Sequence, residues 1–299
     1  AGGLKYEDDS PKSLIICDAN PDREDNHIYQ MKLNGEIDWI DFGFEDNPLY
    51  FRNGKKAAEY SIVDRMDKNL VGIFHDRWFK GLWKSPEGAV FIVEAANIVD
   101  RLPDLTKCDV YRGCDWGQKH PSVCLWVAVD RETGDITVYR EWRKTHSDIL
   151  EMGEQMKELS VGETILHTVI DHDENRQKLL KKETNIHSVF AYKGKVMDRI
   201  FLIQAALRRA VEGKPGGLYI HEGLLCNSDP HPDASDYPKD LIGELRGLQY
   251  NENKDAPMDH GDDAIDALGY VINYVRRAAD MSIYDFSSVI EREDNNVWL

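Results

Sequence analysis

The order of apolar segments between Asp109 and Arg277 limits more than anything else what this chain can fold into. Asp109–Asp115, Ser122–Asp130 and Ile136–Trp142 are strand-like runs, and only the tight turn Arg131–Asp135 (RETGD) separates the last two. Such runs joined by short turns specify a three-strand antiparallel meander. Helical and extended patterns then alternate. A helix is predicted over Ser147–Leu159 with Ser147 as its cap, a strand over Leu166–Asp171, a helix over Glu174–Lys182 and a strand over Ile186–Ala191. Val196, Ile200, Ile203, Leu207 and Val211 recur at helical spacing and predict an amphipathic helix over Lys195–Val211. A loop rich in Pro, Asp and His covers 223–238, and a helix from Asp262 to Arg277 closes the series. The expected architecture is α/β, a mixed five-stranded sheet flanked by helices.

Acids stand at three chosen points of that order. Asp115 ends the first strand (GCDWG), Asp171 ends the fourth (VIDHD), and Asp262, Asp263 and Asp266 open the last helix (HGDDAIDAL). Acids at the ends of the first and fourth strands and on a closing helix are the plan of an RNase H-like domain. Carboxylates gathered from distant segments repel one another unless protons or cations intervene. Facing water, such a cluster is usually resolved by divalent ions. The expectation is therefore two Mg2+ or Mn2+ ions roughly 4 Å apart that hydrolyse a phosphodiester. Asp115 would bridge both ions, Asp171 would bind one, and Asp263 and Asp266 the other. Gly113 and Gly117 beside Asp115 would let a phosphate backbone come close. Simpler readings stand beside these. Asp115 can cap a loop. Asp173 and Glu174 suit a helix dipole, and so does the acidic first turn at 262–266. His260 is a ligand or a surface-loop histidine.

Net charge is −17, which argues against strong stand-alone nucleic-acid binding, because that affinity comes from Lys and Arg neutralising phosphates. The five cysteines are scattered with no CxxC pair, so no zinc is expected and a reducing, cytoplasmic setting is. No run of about 18 apolar residues exists, so no membrane partner is expected. Ahead of the α/β region, Ser13–Cys17 (SLIIC) and Ile37–Phe42 (IDWIDF) read as strands, Lys55–Leu70 as a helix, and Gly72–Trp83 as an aromatic-rich packing segment.

At this point the sequence resembles a family, the phage large terminases that package viral DNA. GCDWGQKHPSVCLWVAVD resembles their first nuclease motif, VIDHDENRQKLLKKETNIHSVFAYKGKV the segment around their second acid, and HGDDAIDALGYVINYV their closing motif. IICDANPDREDNHIY resembles the coupling segment near the end of their ATPase domain, and FEDNPLY and RWFKGLWKSPEGAVF the stretch that leads on to the nuclease. The resemblance covers about 13–278. It implies a remnant of a P-loop ATPase domain with linker over 1–100, an RNase H-like nuclease domain over 101–279, and an acidic tail over 280–299. It makes Asp115, Asp171 and Asp266 metal-binding catalytic acids, with Asp263 or its neighbour Asp262 as the auxiliary ligand. It also implies DNA contacts at Lys193 and Lys195, for which a plain exposed turn is an equal alternative, and an ATPase-coupling role for Asn20. The phosphate-binding motif G-x-x-x-x-G-K-[ST] is absent, so ATP hydrolysis is not expected and the ATPase portion would be a missing partner. Double-stranded DNA, a portal protein and a small terminase subunit are the other implied partners, in host cytoplasm and transiently at the procapsid portal. Two alternatives stay open: another RNase H-like nuclease such as a junction resolvase, and a non-catalytic motor or portal-docking fragment.

Overall fold

The computed structural model describes residues 15–24, 26–70, 72–84, 88–117, 119–192, 194–251 and 256–278. Lys193 and the tail at 280–299 lie outside them. The chain divides into two compact units, Ala1–Pro86 and Glu87–Leu299.

The first unit is built from short elements: α1 (His27–Leu33), a hairpin of β1 (Phe51–Arg52) and β2 (Lys55–Lys56), α2 (Ser61–Asn69), and α3 (Gly72–Phe74) running into a π turn at His75–Phe79. Asn53 and Gly54 take φ of 52° and 70°, the left-handed pair that a two-residue hairpin demands. The aromatic segment packs inside this unit. Trp83 stacks on Tyr29 at 4.7 Å and meets Trp39 edge-on at 5.9 Å, while Phe79 lies against Phe44 at 5.9 Å. Among the described residues, the two strands expected here do not form. Residues 15–17 and 37–42 are irregular, and Ile16 and Phe42 are 84% and 79% exposed. Alternating polarity needs a neighbouring strand to become β-structure, and no described residue pairs with either segment. Lys55 and Lys56 are likewise strand rather than the start of a helix.

The second unit is a seven-stranded sheet. Its strands are β3 (Ile98–Val99), β4 (Cys108–Asp115), β5 (Ser122–Asp130), β6 (Ile136–Lys144), β7 (Ile165–Ile170), β8 (Val189–Phe190) and β9 (Leu218–His221), in the order β3-β9-β6-β5-β4-β7-β8. β4, β5 and β6 form the antiparallel meander, and β7, β8, β9 and β3 join in parallel. The five contiguous strands β6-β5-β4-β7-β8 are those expected, arranged as an RNase H-like sheet. The other two, β3 and β9, lengthen it at the β6 edge and correct the five-strand count. They were missed because two and four residues carry too little periodicity to read.

Helices α4 (Ile149–Glu158) and α5 (Glu174–Thr184) cover one face of this sheet; α6 (Val196–Val211) and α8 (Asp263–Ala278) cover the other, with α7 (Leu241–Gly247) beside α8. Strand alternation sorts the side chains. Cys108, Val110 and Cys114 of β4, with Cys124, Trp126 and Ala128 of β5, bury against Met152, Met156 and Leu180. The intervening residues of β4, Tyr111, Gly113 and Asp115, take the α8 face. The cap of α4 is Asp148, not Ser147; its side chain accepts from Glu151 N at 2.8 Å.

Candidate acidic site and its relatives

Parallel pairing of β4 with β7, in register at Cys114 and Ile170, carries Asp115 and Asp171 to the same rim of the sheet. α8 brings the third group of acids there, and Gly113 sets how closely. A Cβ on Gly113 would stand 2.2 Å from the Ala267 carbonyl oxygen and 2.6 Å from a Val271 methyl. The helix thus lies directly on the strand where a side chain is missing. Gly113 serves this helix–strand contact rather than phosphate approach. A Cβ on Gly117 would stand 1.9 Å from the His120 carbonyl, so that glycine serves a tight turn.

The packing places Tyr270 between acids from two elements. Its hydroxyl lies 3.4 Å from Asp115 Oδ1 and 3.4 Å from Asp266 Oδ2. Arg199 of α6 reaches the same place, donating to both Asp266 oxygens at 2.8 and 3.0 Å. The first turn of α8 is fixed from below by Glu244 of α7. This fully buried carboxylate accepts from the backbone N–H of Ala264 and Ile265 at 2.8 and 3.0 Å. Arg143 of β6 donates to Glu244 and lies 3.0 Å from Glu141, whose other oxygen accepts from Leu241 N at 2.8 Å. A buried Glu141–Arg143–Glu244 chain therefore ties α7 and the start of α8 to the sheet. The capping N–H groups are free at any helix start, and a carboxylate there also suits the helix dipole.

The electrostatics are those of acids crowded without enough countercharge. Burial, then the charges of Asp266, Asp171 and Asp262, push the Asp115 carboxyl up to about 7. Burial and the charges of Glu244, Asp115 and Asp262 push Asp263 up to about 8. Burial and Asp266, then Asp259, push Asp262 up to about 6. Asp263 Oδ2 is buried with no hydrogen-bond partner. An orphaned carboxylate oxygen among hard oxygen donors fits a divalent cation such as Mg2+ or Mn2+. The acids are nonetheless more open than a closed metal cage. Among the described residues, no three of them bring donor oxygens within 4.8 Å of one another.

The remaining candidates separate clearly. Lys195 is exposed at the N-cap of α6. Asn20 is exposed in the first unit. Asp173 caps α5 through Asn175 N and Arg176 N, and Glu174 pairs with Lys178 at 3.1 Å. His260 bonds the Asp236 carbonyl at 3.1 Å. Tyr270, Arg199 and Glu244 escaped the sequence reading. Only Tyr270 had a signal, its i+4 spacing from Asp266.

No family model and no curated protein matches this sequence. Solved structures do. A large terminase from a thermophilic bacteriophage superposes with a TM-score of 0.65 at 17% identity, covering 86% of this chain and 60% of its own. The ADP complex of that protein gives 0.64 at 16% identity, covering 85% and 60%. The P22 large terminase nuclease domain gives 0.50 at 17% identity, covering 63% of this chain and 93% of its own. The fold is that of a large terminase. The chain spans about 60% of the length of the thermophilic phage protein.

Proposed function

We propose that this chain is part of a phage terminase large subunit whose second unit is a metal-dependent endonuclease acting on concatemeric double-stranded DNA. The observation that carries the reading is convergence. Asp115, Asp171 and Asp266 come from two parallel strand ends and one helix start, and Asp115 and Asp266 share the Tyr270 hydroxyl.

In this reading Asp115, Asp171 and Asp266 hold two Mg2+ or Mn2+ ions, with Asp263 as the auxiliary ligand, because its oxygen is the orphaned one. Asp262 lies close enough to Asp266 to add its charge. When bound, the ions supply an activated water and stabilise the leaving 3′ oxygen. The chain's own residues orient and restrain. Tyr270 holds the Asp115 and Asp266 carboxylates to one hydroxyl. Arg199, buried against α8, holds Asp266 in place through both carboxylate oxygens. Lys195, exposed at the N-cap of α6, and Lys193, two residues before it in sequence, are the proposed DNA contacts. The first unit corresponds to the end of the ATPase domain and the linker of such a protein, with Asn20 in the coupling segment. Portal protein and a small subunit are the partners of such a motor, and the host cytoplasm is its place. Without a G-x-x-x-x-G-K-[ST] motif the chain alone does not hydrolyse ATP.

The test is supercoiled plasmid incubated with the full chain in Mn2+ or Mg2+. Nicking and linearisation are expected, abolished by EDTA and reduced at least about a thousandfold in Asp115→Ala. A folded chain that leaves plasmid intact with both metals would turn the reading to a docking fragment.

A further inference from the structure

A second set of metal-binding side chains lies where β6 meets the 226–238 loop. We propose that His146, His231 and Asp233 form a mononuclear site for a borderline-soft divalent ion, with Zn2+ its best fit, apart from the all-oxygen acid cluster. Among the described residues these are the one trio whose donor atoms all lie within 4.8 Å. Asp233 Oδ2 is 2.8 Å from His146 Nε2 and 3.7 Å from His231 Nδ1. Donors about 2.1 Å from a tetrahedral zinc stand about 3.4 Å from one another, so these two distances bracket the required edge. Two imidazoles and one carboxylate favour Zn2+, Co2+ or Ni2+ over Mg2+, and three protein ligands leave a position for water.

The surroundings prepare the trio for a cation. Asp233 N–H donates to His231 Nδ1 at 3.2 Å, which places the ring proton on Nε2; an ion at Nδ1 would take the lone pair that this capping bond now uses. Asp229 holds both histidine-bearing segments at once. One of its oxygens accepts from Thr145 N and Oγ1 at 2.6 and 2.8 Å, the other from His231 N at 3.0 Å. His146 takes a φ of 51°, rare for a residue with a side chain, and its ring lies 4.2 Å from that of His231. Such a backbone persists where its surroundings over-determine it. An ion here would staple the end of β6 to the turn Pro232–Asp236. The next residue, Tyr237, rests on His120 at 5.5 Å and His260 at 5.1 Å, beside the segment leading into α8. Sequence reading sought zinc among cysteines and passed over ligands that stand 85 residues apart in the chain (146 to 231).

The experiment is Zn2+ competition against a chromogenic chelator on the full chain, with Mg2+ in excess to fill the acid cluster, and Co2+ absorption as a second readout. One tightly held Zn2+ equivalent and a visible Co2+ band are expected. His146→Asn, which tolerates the left-handed backbone, and Asp233→Asn should each weaken that equivalent at least about tenfold. Asp115→Asn should keep it, so failure here and failure of the nuclease reading are told apart. Circular dichroism establishes that each variant is folded. Absence of the equivalent in the parent chain, unchanged binding in folded His146→Asn, or its loss in folded Asp115→Asn overturns the proposal.

Discussion

At Gly113 one missing Cβ decides where an acidic helix sits. Replacing it with alanine puts a carbon 2.2 Å from a backbone oxygen that has no rotamer to escape through. The helix must lift, and overpacking of this kind costs about 1–3 kcal/mol or more. Gly113→Ala should lower the urea midpoint accordingly and weaken Mn2+ binding, because the acids of α8 move away from Asp115. Unchanged metal affinity in the folded variant would mean that the acids do not depend on this contact. Asp115 and Asp171 were readable in the sequence as acids terminating apolar strands. Gly113 was noticed for the wrong reason, since a glycine beside an acid does not reveal which partner fills its space. Arg199 was unreadable. Its pairing with Asp266 spans 67 residues and depends on how α6 and α8 pack.

Among the elements, α8 owes its placement to a residue outside it. Glu244 takes two of its first N–H groups and pairs with Arg143 with no exposure to water. Removing one partner of a buried ion pair costs about 3–5 kcal/mol, because the other charge remains uncompensated. Glu244→Ala should therefore destabilise the chain by about that much. Glu244→Gln, which still accepts a hydrogen bond, should lose less. Where that variant folds, Mn2+ affinity should fall about tenfold, as it does when groups that orient ligands are lost. An isothermal titration beside a denaturation curve separates the two effects. Long elements were legible because apolar spacing repeats along them. The meander, α6 and α8 stand almost where periodicity puts them. The short edge strands β3 and β9 have no such repeat. In the first unit the pattern at Ile37–Phe42 was present but unpartnered, and alternation alone does not make a strand.

For the whole molecule, proton and metal compete for the same carboxylates. Folding raises Asp115 to about 7 and Asp263 to about 8 from an ordinary value of 3.8. Below the ordinary value both acids are protonated whether the chain is folded or not. Between about 4 and 8 the unfolded chain has released protons that the folded one still holds, so stability falls as pH rises through that range. Glu141, raised by burial to about 8, contributes with the same sign. In chelator, the melting temperature should therefore drop from pH 5 to pH 8. Mg2+ or Mn2+ should restore the part that belongs to Asp115 and Asp263 while leaving the Glu141 part, which lies beneath the helix and away from any ion. The affinity for those ions should climb between pH 6 and 8, up to about tenfold per unit for each proton displaced. Asp263→Asn should flatten both slopes, and Glu141→Gln only the first. A melting temperature in chelator that holds constant or rises over this range would show that the crowded acids are relieved by something other than protons. The case for a cation among them would then lose its electrostatic support.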